Sequence, residues 1–306
     1  MNPIQFPSNY NYCAAFLTLS CQLKCSYCIN ELHDHYRSEL CKSRKAMTAE
    51  DWIVGLNRVQ AREDLPITLQ GGEPTVHPHF YEIINGVDKP MDLLTNVQFD
   101  LDEFIDKVPT WKFKRSAPYA SIRVSYHPEQ MELQDTVKRV LRLASHGYQI
   151  GVWMIEHPDW AWHCEEASKE FESVGIDFRF KELLGEVTLK NGEKKAYGTI
   201  KYKDSVGEQR ENWKSCLCRT SELLIAPDGS IHRCHSDIYA LRKGIGHIMD
   251  EKFHLDREFR VCHVYGDCSG CDVKVKNNRF QSFGHTSVDI EAVDDPNAMA
   301  QIIANC

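Results

Sequence analysis

Between residues 13 and 182 the apolar positions alternate between two rhythms. Short apolar runs read as strands: Ala14-Ala15-Phe16-Leu17-Thr18-Leu19, Ile67-Thr68-Leu69, Leu93-Leu94, Ala120-Ser121-Ile122-Arg123-Val124-Ser125, Ile150-Gly151-Val152-Trp153-Met154-Ile155 and Ile176-Asp177-Phe178-Arg179-Phe180. Other stretches keep helical spacing. Thr48 is an N-cap followed by acidic Glu50 and Asp51, and Trp52, Ile53, Leu56 and Val59 then recur on one face. Residues from about 129 to 145 line up Val137, Val140, Leu141 and Ala144, with Gly147 at the C-cap, and residues 161–173 form a further helix. Strand and helix alternate six times, which predicts a parallel sheet with crossover helices.

Polar or glycine-rich residues stand wherever a predicted strand ends. Cys21, Cys25 and Cys28 follow the first strand, Gly71-Gly72-Glu73-Pro74 the second, Thr95-Asn96 the third, Ser125 the fourth and Glu156 the fifth. In barrel and open α/β folds sites collect at these carboxyl ends, so one site is expected there. After residue 182 the pattern changes. Asn191-Gly192 is a hairpin signal, and Ala226-Pro227-Asp228-Gly229-Ser230 turns between Leu223-Leu224-Ile225 and Ser230-Ile231-His232.

Composition narrows the class. The chain has 306 residues, 42% hydrophobic and 26% charged, enough for one large α/β barrel or a smaller domain with an appendage. A net charge of −8 argues against nucleic acid as a partner. No basic n-region leads into an apolar h-region, and no run of eighteen apolar residues occurs, so neither a signal peptide nor a membrane partner is expected. The 13 cysteines therefore belong in a reducing, cytoplasmic compartment, as metal ligands or catalytic groups rather than disulfides. They fall in two groups, one before residue 42 and one from Cys216 to Cys271.

Cys21, Cys25 and Cys28 are spaced to meet at one soft metal centre. Three thiolates leave one iron of a four-iron cube open, as catalytic metal sites are. The bland alternative is three unrelated buried cysteines.

Cys-x3-Cys-x2-Cys with Tyr27 before its last cysteine, followed by Gly71-Gly72-Glu73-Pro74 at the second strand end, resembles the radical S-adenosylmethionine (SAM) superfamily over residues 11–182. The resemblance implies an α/β fold, a partial (β/α)6 TIM-like barrel. It also implies a [4Fe-4S] cluster on Cys21, Cys25 and Cys28 whose open iron is chelated by S-adenosyl-L-methionine. Gly71, Gly72, Glu73 and Pro74 would meet the methionine amino group, glycines letting a ligand approach the backbone. Thr95, Asn96 and Ser125 are candidate contacts to its carboxylate or ribose, and Met154 to its adenine, with core filler as the plain alternative for Met154. The cluster would be reduced by flavodoxin or ferredoxin and would yield a 5′-deoxyadenosyl radical that takes hydrogen from an organic substrate.

The C-terminal cysteines resemble the twitch relative of the SPASM extension, through Cys218, Gly229 and Cys234 and then Cys268-Ser269-Gly270-Cys271. This implies a small C-terminal β-hairpin/cluster domain with an auxiliary [4Fe-4S] cluster on Cys216 or Cys218, Cys234, Cys268 and Cys271. Cys216 and Cys218 compete for one place, and Cys262 is a further candidate. A structural zinc site is the alternative. A spare Cys216 or Cys218 thiol would serve as a hydrogen-atom donor in an epimerase. His232, His235, His247 and His263 are minor ligand candidates. His127, Glu156 and His157 are pocket-lining candidates, while Trp153, Trp160 and Trp162 either wall the mouth or simply pack. Cys13 reads as core and Cys164 as inert, Cys41 flanks the triad, and Cys306 ends the chain.

The expected divisions are 1–182 (barrel), 183–215 (connecting segment), 216–285 (auxiliary cluster) and 286–306 (tail). Because few residues precede the first strand, a small molecule such as a sugar or cyclitol is the expected substrate. The alternatives are a peptide-modifying maturase or epimerase and a non-catalytic Fe–S or zinc scaffold.

Overall fold

The computed structural model describes residues 1–28, 45–61, 65–117, 119–183, 185–197, 214–239, 242–255, 257–265 and 288–292. Cys41, Cys268, Cys271 and Cys306 lie outside them. The six expected strands form: β1 (Tyr12–Thr18), β2 (Ile67–Gly71), β3 (Met91–Thr95), β4 (Ile122–Tyr126), β5 (Ile150–Glu156) and β6 (Phe178–Glu182). They pair in sequence order, all parallel. The helices between them are α1 (Ala49–Asn57), α2 (Phe80–Gly86), α3 (Leu101–Lys107), α4 (Leu133–Ser145) and α5 (Ala161–Ser173). Thr48 and Asp51 make the reciprocal capping box that starts α1. Helix α4 starts four residues later than the pattern suggested. Residues 127–131 first wind a turn in which the N–H groups of Gln130 and Met131 both donate to the His127 carbonyl at 2.9 Å.

Alternation along each strand divides the molecule into two environments. Cys13, Ala15, Leu17, Ile67, Leu69, Leu93, Val124 and Val152 turn one way and pack with Trp52, Leu56, Phe80, Ile83, Phe104, Val140 and Phe171 of the helices. The other face carries Tyr12, Ala14 and Phe16, packed against Leu224 and Ile238. It also carries Thr68, Gln70, Asp92 and Arg123, polar positions that alternate with the core residues of their strands. Both faces of β1 are buried, so its sequence reads as a continuous apolar run.

The second part of the chain joins this sheet. A hairpin of β7 (Gly185–Thr188) and β8 (Lys194–Tyr197) turns at Asn191-Gly192, with Gly192 at φ 84°. Then come β9 (Lys214–Thr220), β10 (Glu222–Ile225), β11 (Ser230–His232), β12 (Gly246–His247), β13 (Arg260–Tyr265) and β14 (Val288–Ala292). Strand β10 runs parallel beside β1, with Glu222 opposite Tyr12 and Ile225 opposite Ala15. The turn hairpin expected to open an appended unit thus extends the barrel sheet, whose order is β12-β11-β10-β1-β2-β3-β4-β5-β6. This is an open, TIM-like partial barrel. Arg58 ties the extension down by donating to the carbonyls of Asn2 (2.7 Å), Ile248 and Asp250 (3.0 Å). Strand β9 lies between β13 and β14 in a separate antiparallel sheet, where Cys216 stands opposite Cys262.

Candidate functional site

The loop carrying Cys21, Cys25 and Cys28 leaves the end of β1 and crosses the carboxyl ends of its neighbours. Its first residues lie backbone to backbone against the end of β2. The N–H of Gly72 donates to the Thr18 carbonyl at 2.9 Å, and that of Glu73 to the Ser20 carbonyl at 2.8 Å. A Cβ on Gly71 would meet the Thr18 oxygen at 2.1 Å, and one on Gly72 would meet the Ser20 oxygen at 2.1 Å. Gly71 also has φ +139°. What these glycines admit within the chain is its own cysteine loop.

Glu73 is likewise engaged within the chain. It is 1% exposed. As the cap of a short turn at Pro74–Val76, its Oε1 accepts from the Thr75 N–H (3.2 Å) and hydroxyl (2.7 Å), and Pro74 takes the first turn position. Oε1 also accepts from the Thr95 hydroxyl at 2.8 Å, and Oε2 from the Asn96 N–H at 2.7 Å. Burial raises its pKa while these donors oppose the rise. Glu73 therefore clamps the end of β2 to the end of β3.

Thr95 and Asn96, candidate ligand contacts from the sequence, turn their polar atoms inward. The Thr95 hydroxyl accepts from the Val97 N–H at 3.0 Å while it donates to Glu73. Asn96 is 4% exposed. Its Oδ1 accepts from the Gln98 N–H and from Gln22 Nε2, each at 3.0 Å, and its Nδ2 lies 3.6 Å from Cys21 Sγ. Val97, between them, has φ 58° and is fully buried. A β-branched residue rarely adopts that conformation, and here the surrounding bonds impose it, including one from Arg139 Nε to the Val97 carbonyl at 2.8 Å.

The far end of the loop is held by β4 and β5. The Ser26 N–H donates to Glu129 Oε2 at 2.8 Å. The Tyr27 hydroxyl lies 3.1 Å from His127 Nδ1, and its ring stands 5.1 Å from that of His157. Cys25, Tyr27 and Leu183 form a small buried cluster, with Leu23, Ile155, Trp160 and Leu189 packed around it. Leu189 belongs to the β7–β8 connection, whose Lys190 N–H donates to Asp159 at 2.9 Å. His127 is pushed down to about 4, by burial first and then by the charge of Lys181. It is therefore neutral at ordinary pH and able to accept from Tyr27.

None of the three cysteines forms a disulfide. Burial pushes Cys25 up to about 12, helped by the charges of Cys28, Glu129 and Cys21, and Cys21 is also raised, by burial first. Bare, these groups repel one another as thiolates, and a bound cationic centre would relieve that repulsion. Among the described residues no three His, Cys, Asp or Glu side chains converge closely enough for a single metal ion. A four-iron cube asks for a different arrangement, because each thiolate takes a separate iron and the sulfurs surround a volume. Three thiols presented around one loop fit that demand.

Other expectations sort by which way the strand points them. Met154 is 1% exposed and lies with the helix-facing core, the packing role the sequence offered beside an adenine contact. Ser125 stays partly exposed on the inner face, opposite Trp153 in the register, and Glu156 is exposed at the strand end. Trp153 is buried and Trp162 is 64% exposed. Cys13 is buried in the core and Cys164 packs against it. His247 is engaged by the Asp228 carbonyl and the Met249 N–H, and His232 by Ser230, so both are held as structural groups.

Cys218 is buried, while Cys234 and Cys262 are half-buried. Cys218 and Cys234 both act on the charge of Arg233, which places them in one neighbourhood. One link was not legible in the sequence. Gln70, just before Gly71, accepts from the Tyr12 hydroxyl at 3.3 Å and sits 3.0 Å from His235 Nε2. His235 follows Cys234, so a buried amide joins the edge of the first site to the second cysteine region.

Solved structures share the open parallel α/β fold of this chain. Streptococcus suis SuiB matches over 82% of this chain with a TM-score of 0.51 and 14% identity, and SuiB bound to the precursor peptide SuiA with 0.52 and 15%. AnSMEcpe with bound AdoMet and the Cp18Cys peptide matches over 81% of this chain and 78% of its own, with a TM-score of 0.51 and 16% identity. Both neighbours are radical SAM SPASM-domain enzymes. The chain spans 64% of the length of the SuiB chains. No protein-family model and no curated protein matches the sequence.

Proposed function

We propose that this chain is a radical SAM enzyme that acts on a peptide. Cys21, Cys25 and Cys28 would hold a [4Fe-4S] cluster and leave one iron for the amino and carboxylate groups of S-adenosylmethionine. With one electron from a donor such as flavodoxin or ferredoxin, that cluster would supply reductive cleavage of S-adenosylmethionine and, through it, removal of hydrogen from a C–H bond. The chain's own part is to fix the loop and enclose it. Ser20 is bonded to Glu73, Cys21 to Asn96, Ser26 to Glu129 and Tyr27 to His127, so the ends of β2, β3 and β4 each grip the thiol loop. That grip, at the carboxyl ends of a partial barrel, is the observation that carries the reading. Leu183 and Leu189 cover its apolar side.

The choice of a peptide follows the neighbours, one bound to a precursor peptide and the other to a peptide with AdoMet. The expectation of a small molecule rested on how little chain precedes β1, and where a sequence begins carries no information about substrate. An auxiliary cluster on Cys216 or Cys218, Cys234, Cys268 and Cys271, with Cys262 as the further candidate, belongs to the same reading. The Cys216–Cys262 register supports counting Cys262 among its ligands. A spare Cys216 or Cys218 would then be the hydrogen-atom donor.

Anaerobically reconstituted protein given dithionite and S-adenosylmethionine should form 5′-deoxyadenosine, and Cys25→Ala should reduce that to background. Short synthetic peptides should raise the yield, whereas sugars and cyclitols should leave it unchanged. Absence of 5′-deoxyadenosine from the wild-type protein would sink the enzyme reading. Stimulation by a sugar alone would return the substrate to the small molecules.

A further inference from the structure

We infer that Asn96 tunes the reduction potential of the cluster on Cys21, Cys25 and Cys28 by donating a hydrogen bond to the Cys21 sulfur. This rests on the reading of that loop as a cluster site. It assigns Asn96 a role other than ligand contact, and it follows from how the amide is oriented.

An asparagine's oxygen and nitrogen are told apart by their partners. Here one partner is decisive. The Gln98 backbone N–H can only donate, and it points at Oδ1 from 3.0 Å. Gln22 Nε2, a second donor, reaches the same oxygen at 3.0 Å. The Nδ2 group is thereby turned to Cys21 Sγ at 3.6 Å, a distance suited to an N–H···S bond. The Leu23 N–H reaches the same sulfur at 3.4 Å. The remaining polar contact of Cys21, its thiol against Gln22 Oε1 at 3.8 Å, needs the proton that cluster binding removes. Ligated, the sulfur keeps two N–H donors, one from the loop itself and one from β3.

The β3 donor is held with unusual firmness. The Asn96 backbone N–H is taken by buried Glu73, the next residue is forced to φ 58°, and Arg139 holds that residue's carbonyl. Strain of this kind persists only where the surroundings over-determine it. The Glu73 clamp at the end of β2 thus sets the donor that meets the first cysteine. One-electron reduction adds a negative charge that spreads over the cluster's sulfurs. An N–H donor stabilises the reduced form more than the oxidised one and raises the potential.

The test is an EPR-monitored redox titration of the reconstituted full chain with dithionite. The signal of this cluster is identified by its loss in Cys25→Ala. Asn96→Ser keeps an oxygen near the Gln98 N–H but withdraws the donor from sulfur. It should shift the reduction equilibrium about tenfold toward the oxidised form, a fall of about 59 mV for one electron. Asn96→Asp keeps the shape and the Oδ1 contacts while replacing the donor with charge, and should fall further; it carries the measurement if the serine variant loads no iron. Tyr27→Phe loosens the far end of the same loop, where His127 holds it, and should titrate with the wild type. A wild-type potential in Asn96→Ser, or an equal fall in Tyr27→Phe, would overturn the inference. Failure of the wild-type chain to bind a cluster would instead remove the functional reading beneath it.

Discussion

The strands that carry the cysteine loop at one end carry a second buried polar cluster lower down, and the two are built on opposite principles. In the lower one, Asp92 is fully buried, with Arg115 Nε at 3.1 Å and Arg123 at 3.0 Å. Both guanidiniums lie 5.1 Å from the centre of the Tyr119 ring. Opposite charges there largely neutralise one another. At the carboxyl ends, Glu73 is satisfied by neutral donors, and the thiols of Cys21 and Cys25 are raised by burial and by neighbouring negative groups. Asp92 and Thr95 are three residues apart on one strand. The difference teaches where this barrel is complete and where it waits for a partner. The lower cluster closes the sheet on itself, while the upper rim gathers thiols held in their neutral form, whose ionisation a cationic group would favour.

Breaking the lower cluster should cost the most stability. Asp92→Ala leaves two buried guanidiniums without their anion, a loss of about 3–5 kcal/mol. Urea unfolding should show that loss, while the folded fraction should still bind iron on the upper loop. If iron binding fell in step with Asp92→Ala in protein shown to be folded, the two clusters would be one unit and the contrast would fail.

Acid separates them next. In the fold His127 takes its proton only near pH 4, against 6.5 ordinarily. Between those values the unfolded chain binds more protons than the folded one, so stability is full above about pH 6.5 and declines as pH falls toward 4. The loss should be about 2 kcal/mol given the partial exposure of His127. His127→Gln should flatten the profile, read as unfolding midpoints across that range. An unchanged slope in that variant would place the acid sensitivity elsewhere.

How much of this was legible depends on the distance over which each feature is decided. Strand and helix order, the Thr48 cap and the Asn191-Gly192 turn are set by neighbouring residues, and the structure reproduces them. The face Met154 takes was hidden because the run from Ile150 to Ile155 is apolar throughout, which masks the alternation that decides it. The pairing of β10 with β1 joins positions about two hundred residues apart in sequence, and no local pattern encodes it. Gly71-Gly72 were correctly singled out for close approach, but the approaching partner is the backbone at residues 18–20. Nothing in the sequence announces that Val97 sits at positive φ, because the side chains that brace its turn, Gln22, Glu73 and Arg139, come from three separate segments.

That strained residue offers a sharper cut through the upper rim. Val97→Gly relieves a backbone cost of about 1–3 kcal/mol but removes a fully buried side chain worth about 1.5–3 kcal/mol. Flexibility gained by the unfolded chain adds a further penalty of about 1 kcal/mol. The net should be a loss of about 1 kcal/mol in thermal or urea unfolding. A clear gain in stability would mean that strain, rather than packing, dominates the turn that holds Asn96.

The smallest effect tests whether the rim depends on hydrogen bonds or on packing. Tyr27 contributes a ring, tilted against His157 and sealed by Leu183 and Leu189, and a hydroxyl 3.1 Å from His127. Tyr27→Phe keeps the ring and deletes the hydroxyl. It leaves a half-buried imidazole nitrogen short of one donor, at a cost of about 0.5–1.5 kcal/mol. Cluster retention against a chelator, followed by absorbance, should decline only slightly, because the backbone bonds at Gly72, Glu73 and Ser26 still fix the loop. Asp92→Ala deletes one residue's charge and leaves buried ions behind, whereas Tyr27→Phe deletes a neutral contact from a rim held at several points. Were Tyr27→Phe to release the cluster as readily as the loss of a thiol does, the hydroxyl–imidazole pair would be the hinge of the loop. The rim would then be as dependent on a single polar contact as the lower cluster is on Asp92.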